Sequence, residues 1–272
     1  MNPALLVLAA AVTSGMGALA GVGGAVLLVP ILVLSGMPVS VAAPLGLVSV
    51  AALSIAAAPT HLRFRGVNHR LGLTIEVAAT SGALAGALVS GYVPNRALVY
   101  ALAGSALAAA VAGGRRKGVR NRPDPSLSAT AVGERIGGLA GAYPLGSDVV
   151  PYRPRRVGAG LGFMTLAGLI AGTAGVSGGF IKTPAMSELM HVPTKVAAAT
   201  TTFTIGVTAA AALTVFGIQG RIDTRGAAAV IVGSLAGSFL GASLQARMNP
   251  ARVRAGLSVV LVVVAVVMVV SA

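Results

Sequence analysis

The sequence contains no cysteine and no tryptophan, and only six of its 272 residues are acidic. Without cysteine there can be no disulfide, thiolate metal site or thiol redox chemistry. Three histidines, His61, His69 and His191, and so few carboxylates leave little from which to build a metal centre, so no metal or cofactor is expected. No Ser/His/Asp, paired-carboxylate or metal-ligand constellation falls within the apolar segments, so the chain does not read as an enzyme. Charge of either sign is scarce, at 10% of residues, where soluble domains carry about 25%. Such a chain cannot clothe a water-facing surface.

What is present is apolar: 56% of residues are hydrophobic and the mean hydropathy is +0.89. Several uninterrupted runs approach the roughly 20 residues that a helix needs to cross a bilayer. Their continuity excludes the alternating pattern of an outer-membrane barrel, and lipid obliges the backbone to satisfy its own hydrogen bonds. The fold class is therefore an all-α polytopic membrane protein surrounded by lipid. The net charge of +14 does not point to nucleic acid, because the basic residues sit in short connections between apolar runs, where membrane topology is encoded.

The runs fall at 3–20, 24–36, 40–59, 69–92 and 95–113, and again at 157–173, 178–190, 194–216, 224–246 and 252–271. Both sets share one rhythm, which is the mark of an internal repeat. Gly24 and Pro30 match Gly178 and Pro184 at an offset of 154; Pro38 matches Pro193, and Asn68, Arg70, Gly82 and Gly86 match Asp223, Arg225, Gly237 and Gly241, at 155. The division is an N-terminal transmembrane repeat at 1–113, a basic cytoplasmic connection at 114–156 and a C-terminal repeat at 157–272. Gly82/Gly86 and Gly237/Gly241 read as helix-packing pairs. Residues 1–20 lack a basic leader region and have a mid-chain counterpart at 157–173, so they read as part of the mature fold.

With the 114–156 connection placed inside, sixteen basic residues are cytoplasmic, only Arg96, Arg221 and Arg225 are external, and Lys182 lies within the membrane. The halves then have inverted topology, each a broken-helix hairpin plus three transmembrane helices, with both termini outside the plasma (inner) membrane. Glu76 and Glu188 could carry protons, but both fall near cytoplasmic ends and read rather as solvated anchors.

The runs at 24–36 and 178–190 have 13 residues each, about 20 Å of helix, too short for a hydrocarbon core of about 30 Å. Each reads as a half-helix opening at a glycine break inside the membrane. Paired breaks in inverted repeats mark the binding site of secondary transporters. A helix N-terminus offers unpaired N–H groups and a partial positive charge, and glycine lets a ligand reach them, so two converging N-termini suit an anion. The site expected on these grounds comprises Gly21, Gly23 and Gly24, Gly175, Ser177, Gly178 and Gly179, with Lys182, Ser49 and Thr201. Thr13, Ser14 and Thr173 add further hydroxyls.

The stretch from Gly21 to Pro30, repeated from Gly175 to Pro184 and followed by Lys195-Val-Ala-Ala-Ala-Thr-Thr-Thr202, resembles the TauE/SafE sulfite exporter family, also called the toluene sulfonate uptake permease family. The resemblance spans essentially the whole chain. It implies a plasma-membrane transporter of sulfite, sulfoacetate or other organosulfonates, with the family's glycine-and-proline motif on Gly21, Gly23, Gly24 and Pro30 and on Gly175, Gly178, Gly179 and Pro184. The chain departs from a fully glycine-rich cluster at Ala25 and Ser177. The expected function is secondary transport of a small sulfur-containing oxyanion by alternating access, with a proton gradient as one driving force to test and oligomerisation left open. A passive anion channel and a non-transporting scaffold subunit are the rivals.

Overall fold

Each apolar run becomes a helix because a backbone surrounded by lipid has no other partner for its polar groups. The computed structural model describes residues 2–20, 23–63, 66–114, 124, 126–127, 132–145, 148–245 and 250–271. The first half holds α1 (Pro3–Ala20), α2 (Ala25–Leu34), α3 (Val39–Arg63), α4 (His69–Ser90) and α5 (Asn95–Gly114); the second holds α6 (Val157–Ala174), α7 (Gly179–Pro184) running into a π-helical turn (Ala185–Leu189), then α8 (Thr194–Ile218), α9 (Thr224–Gln245) and α10 (Pro250–Ser271). Six of these, α3, α4, α5, α6, α8 and α9, are long and apolar enough to cross a membrane. The chain is an all-α polytopic membrane protein.

The repeat in the sequence is a repeat of elements. Adding 154 to the bounds of α1 gives those of α6, and adding 155 to those of α3 and α4 gives α8 and α9. Packing follows suit: α1 lies against α9 and α4 against α6, while α3 packs on α8 and α5 on α10. The glycine pairs make these contacts. A methyl group on Gly82 or Gly86 would lie 2.1 Å from the Thr165 carbonyl oxygen or 2.3 Å from that of Leu169. On Gly237 or Gly241 it would lie 1.9 Å from the Ala11 oxygen or 2.4 Å from that of Gly15, the corresponding atoms of the other half. Backbones approach so closely only where small residues permit, the usual basis of helix association in lipid.

The N-termini of α4 and α9 are also built alike. Asn68 Oδ1 accepts from Leu71 N at 2.9 Å, and Asp223 Oδ2 accepts from Gly226 N at 3.1 Å, each three residues on. Asn68 N donates to Thr200 Oγ1 at 3.0 Å, so the end of α3 meets the start of α8, and Leu45 near the start of α3 approaches Gly226 beyond the end of α8.

The connection between the halves holds more order than its composition predicts. Its described residues form an antiparallel sheet, β1 (Gly133–Glu134), β2 (Gly141–Leu145) and β3 (Asp148–Tyr152), in that order. The sheet docks on the bundle through Asn68, whose amide donates to Tyr152 Oη at 2.9 Å and to the Leu139 oxygen at 3.0 Å. Glu134 Oε2 accepts from Arg70 N at 3.0 Å, and Arg155 N donates to the Met190 oxygen at 2.8 Å. Burial pushes the Tyr152 phenol up to about 12, so it stays protonated at physiological pH. Tyr143 and Tyr152 join Leu71, Ile75, Met164, Met186 and Met190 in one apolar cluster beneath the sheet.

Gly168 and Gly162, both in α6, should respond oppositely to enlargement. A methyl on Gly168 would lie 1.9 Å from the Ala79 oxygen, whereas nothing lies within 4 Å of one on Gly162. Gly168→Val should cost about 3 kcal/mol or more through overpacking and lower the melting temperature in detergent sharply, while Gly162→Val leaves it unchanged.

Candidate functional site

Where α1 ends, the chain turns back to start α2, and where α6 ends it turns back to start α7. Glycine makes both reversals: Gly23 has φ +90° and Gly175 has φ +72°, a region that costs other residues about 1–2 kcal/mol. Gly21, one of the expected site residues, and Val22 lie outside the described residues.

The two turns touch. A Cβ on Gly23 would lie 2.4 Å from Ser177 Oγ and 2.5 Å from Ser177 Cβ, so the first break is packed against the side chain at the second. One on Gly24 would lie 2.6 Å from Ser14 Cα, and one on Gly178 3.1 Å from the Ala167 oxygen, which puts both helix starts alongside the middles of α1 and α6. Gly175 closes on α3: its Cβ would lie 2.2 Å from Ala43 Cα, and one on Gly46 would lie 2.3 Å from the Gly175 oxygen. The starts of α2 and α7 therefore sit deep in the bundle with no side-chain cap on either Gly24 or Gly178. Among the described N–H groups there, that of Gly179 donates to Ser177 Oγ at 3.3 Å.

Three serines surround the first break. Ser14 Oγ lies 2.9 Å from Ser49 Oγ and donates to Ser234 Oγ at 3.0 Å, and Ser234 donates to Ser49 at 3.0 Å. All three are fully buried. Each hydroxyl can turn outward to donate to an oxyanion, or inward to close the ring. Ser234 escaped the sequence reading because α9 matches α4, where the equivalent position is Ala79, so the repeat gave no hint of it. The other hydroxyls divide. Thr201 Oγ1 donates to Met186 Sδ at 3.5 Å, beside the π turn rather than at the break. Thr13 and Thr173 return their hydroxyls to Ala9 and Leu169 of their own helices, as hydroxyls in apolar helices commonly do.

Lys182 is fully buried on the first turn of α7, where its own N donates to the Gly178 oxygen at 3.0 Å. Its Nζ donates to Glu76 Oε2 at 2.8 Å and to Thr208 Oγ1 at 2.6 Å, and the Thr208 hydroxyl donates to Glu76 Oε1. This corrects the expectation of a solvated Glu76: the residue is only 4% exposed and is the partner of Lys182. Position misled, because Glu76 stands seven residues into α4, within reach of the membrane edge by count but enclosed by Lys182 of α7 and Thr208 of α8. Glu188 does lie exposed. Removing one partner of such a buried pair leaves a lone charge in low dielectric, at about 3–5 kcal/mol.

A family model for the sulfite exporter TauE/SafE family matches residues 6–268, nearly the whole chain. The chain belongs to the TauE/SafE family. No curated protein and no solved structure matches it. Membership of TauE/SafE, together with six helices able to cross a bilayer, makes this a multi-pass membrane anion transporter.

The contact between the breaks can be tested by paired substitution. Gly23→Ala meets both the positive φ and the Ser177 side chain, so it should lower stability by about 1–3 kcal/mol. Adding Ser177→Gly should restore the part due to the clash and leave the part due to the backbone. Thermal unfolding of the single and double variants in detergent measures that coupling; strictly additive losses would mean that the two turns do not touch.

Proposed function

We propose that the protein is a secondary transporter for a small sulfur-containing oxyanion, sulfite or an organosulfonate such as sulfoacetate, and that the anion binds between the two glycine breaks. The observation that carries this reading is the contact of Gly23 with Ser177. Two uncapped helix starts meet there, deep in the bundle, each directing backbone N–H groups and the positive end of a short helix to one place. Ser177 and the Ser14–Ser49–Ser234 ring supply neutral donors that a sulfonate or sulfite oxygen can use. A compact oxyanion fits such a place better than a cation, which would face amide hydrogens. The binding set on this reading is Gly23, Gly24, Gly175, Ser177, Gly178 and Gly179, with Ser14, Ser49 and Ser234 beside it and Lys182 one turn away; Gly21 and Thr201 belong to the set by sequence alone.

Alternating access follows from the repeat, with the halves taken as inverted. Support comes from α3 and its counterpart α8: the end of one meets the start of the other at Asn68–Thr200, and the reverse holds at Leu45–Gly226. Helices that run antiparallel to their own repeats place their halves in opposite orientations. A structure of that kind can exchange the conformations of its halves and so open to either side in turn. The basic loops put the central sheet on the cytoplasmic side of the plasma membrane and both termini outside.

Reconstituted protein should take up labelled sulfite or sulfoacetate saturably and show counterflow; sulfate and thiosulfate define the selectivity. Ser177→Ala removes one donor and should weaken apparent affinity about tenfold, the value of a single hydrogen bond. Gly178→Leu, which fills the second break, should abolish flux. Conductance without saturation or counterflow would indicate a channel instead, and no flux of any of the four anions would overturn the reading.

A further inference from the structure

The cluster of Lys182, Glu76 and Thr208, which joins α4 of the first half to α7 and α8 of the second, has no counterpart at the place related to it by the repeat. The corresponding positions are Leu28, Ile231 and Leu53, at the same offsets of 154 and 155. At those positions Leu28 and Leu53 are buried and Ile231 is exposed, so the repeated fold is built there without charge and the ion pair is not needed to build it. Ionisable groups held inside a membrane bundle without a structural need mark ion and proton pathways.

We propose that Glu76 and Lys182 are the proton-coupling element of transport: the Glu76 carboxylate occupies Lys182 as a stand-in anion, and its protonation releases the ammonium to the transported oxyanion. The inference rests on the anion-transport reading above and adds the coupling ion and the residues that carry it. In the arrangement observed, both Glu76 oxygens are engaged, one by Lys182 Nζ and one by the Thr208 hydroxyl, and Thr208 also accepts from Lys182. An arriving oxyanion offers Lys182 the same acceptor geometry as the carboxylate. Two anions sharing one ammonium in low dielectric repel strongly. A proton from the aqueous side adds to a lone pair of Glu76 Oε2, forming the O–H of a neutral acid. The Nζ–H···Oε2 bond breaks, Lys182 keeps its protons, and its freed N–H donates to the substrate oxygen. Deprotonation of Glu76 restores the pair and expels the anion. One proton therefore moves in the same direction as each anion, and no electron is transferred.

Lys182 is placed for this task. It stands one turn from Gly178, so its ammonium and the amides of the second break ride on one short segment. Pro184 and the π-helical turn Ala185–Leu189 follow at once; π turns are frequent at functional sites in helices. No competing titratable group among the described residues faces the pair. The α6 helix carries none; His69 and Arg70 of α4, Arg96 and Tyr100 of α5, Glu188 of the π turn and Lys195 of α8 are exposed near segment ends. On the sheet, Glu134 is engaged by Arg70 N and His69, and Tyr143 and Tyr152 are phenols in the apolar cluster below it. The sign of the linkage is fixed: anion binding favours protonated Glu76, so acid on the side of entry promotes uptake.

The test uses proteoliposomes with the membrane potential clamped at zero and sulfoacetate as probe, because its charge is constant between about pH 6 and 8. Wild type should accumulate sulfoacetate up to about tenfold for each unit of inward-acid gradient. Glu76→Gln, which mimics the protonated acid, should still exchange sulfoacetate across the membrane but accumulate none, whatever the gradient. Glu76→Asp should keep accumulation. Should Glu76→Gln retain the gradient response of wild type, the proposal is overturned while the transport reading stands; if wild type moves none of the anions, the transport reading fails first and this inference with it. A second measurement needs no variant. Wild-type protein in weakly buffered detergent solution should take up protons when sulfoacetate is added, one for each anion bound, and a reading of none overturns the proposal even if Glu76→Gln does not fold.

Discussion

Everything in this fold answers to one constraint: a backbone amide in the bilayer must find a partner, and this chain interrupts two helices where no water can supply one. The interruptions at Gly23–Gly24 and Gly175–Gly178 are tolerable only because each is enclosed by protein. Gly24 lies on Ser14, Gly175 on Ala43, and Gly23 on Ser177. The close parallel packing of α1 on α9 and of α4 on α6 follows from that need. Wide-spaced helices would leave the turns open to lipid tails, and only small residues at 82, 86, 237 and 241 let the backbones draw near enough to shut them in. On the proposed reading, packing and binding are two results of one arrangement: the glycines that seal the bundle also keep the two helix starts dry and close to a negatively charged guest.

The helical scaffold was legible because its signals are local and repeated. Apolar runs end where Gly, Pro or Arg intrude, and the offsets of 154 and 155 predicted both halves closely enough that α6, α8 and α9 begin where α1, α3 and α4 say they should. The glycine pairs were legible for the same reason, since packing in lipid leaves few other uses for a Gly-x-x-x-Gly spacing. Less could be read where contacts join distant helices. Nothing near Glu76 in the sequence names Lys182, 106 positions away, and a carboxylate seven residues into a helix reads as an edge residue until something covers it. The cover is Lys182 and Thr208, on helices far along the chain; the β1–β3 sheet was equally hard to read, because its Gly/Pro/Arg-rich connection has short strands with no strong alternation.

The departures from the repeat are informative in their own right. The positions related by the repeat to the Ser14–Ser49–Ser234 ring hold Gly168, Thr204 and Ala79, and those related to the Lys182–Glu76–Thr208 cluster hold Leu28, Ile231 and Leu53. Neutral donors thus gather at one break and charge near the other. Hydroxyls can reorient to suit an anion at little cost, whereas a buried ion pair must be taken apart before its ammonium is free. On the proposed reading, the first break provides adaptable contacts and the second provides the step that must be driven.

That asymmetry also bears on direction. Two halves of identical energetics would make the inward- and outward-facing states equally stable, and the empty protein would favour neither. On the proposed reading, the ion pair between α4 of the first half and α7 of the second, matched by no pair at Ile231 and Leu28, removes that degeneracy, because it is intact only in conformations that bring α4, α7 and α8 together. Any state that separates α7 from α4 must first neutralise Glu76 or give Lys182 another anion. On the proposed mechanism, such a carrier resists opening while both its proton and its substrate are absent, which suppresses leakage of either. The sheet contributes to the same end: Asn68 and Arg70 tie it to the start of α4, and Arg155 ties its far edge to the Met190 carbonyl just beyond the π turn. Separating those two elements therefore strains the sheet as well as the ion pair, so the connection between the halves and the ion pair that joins them act on the same movement.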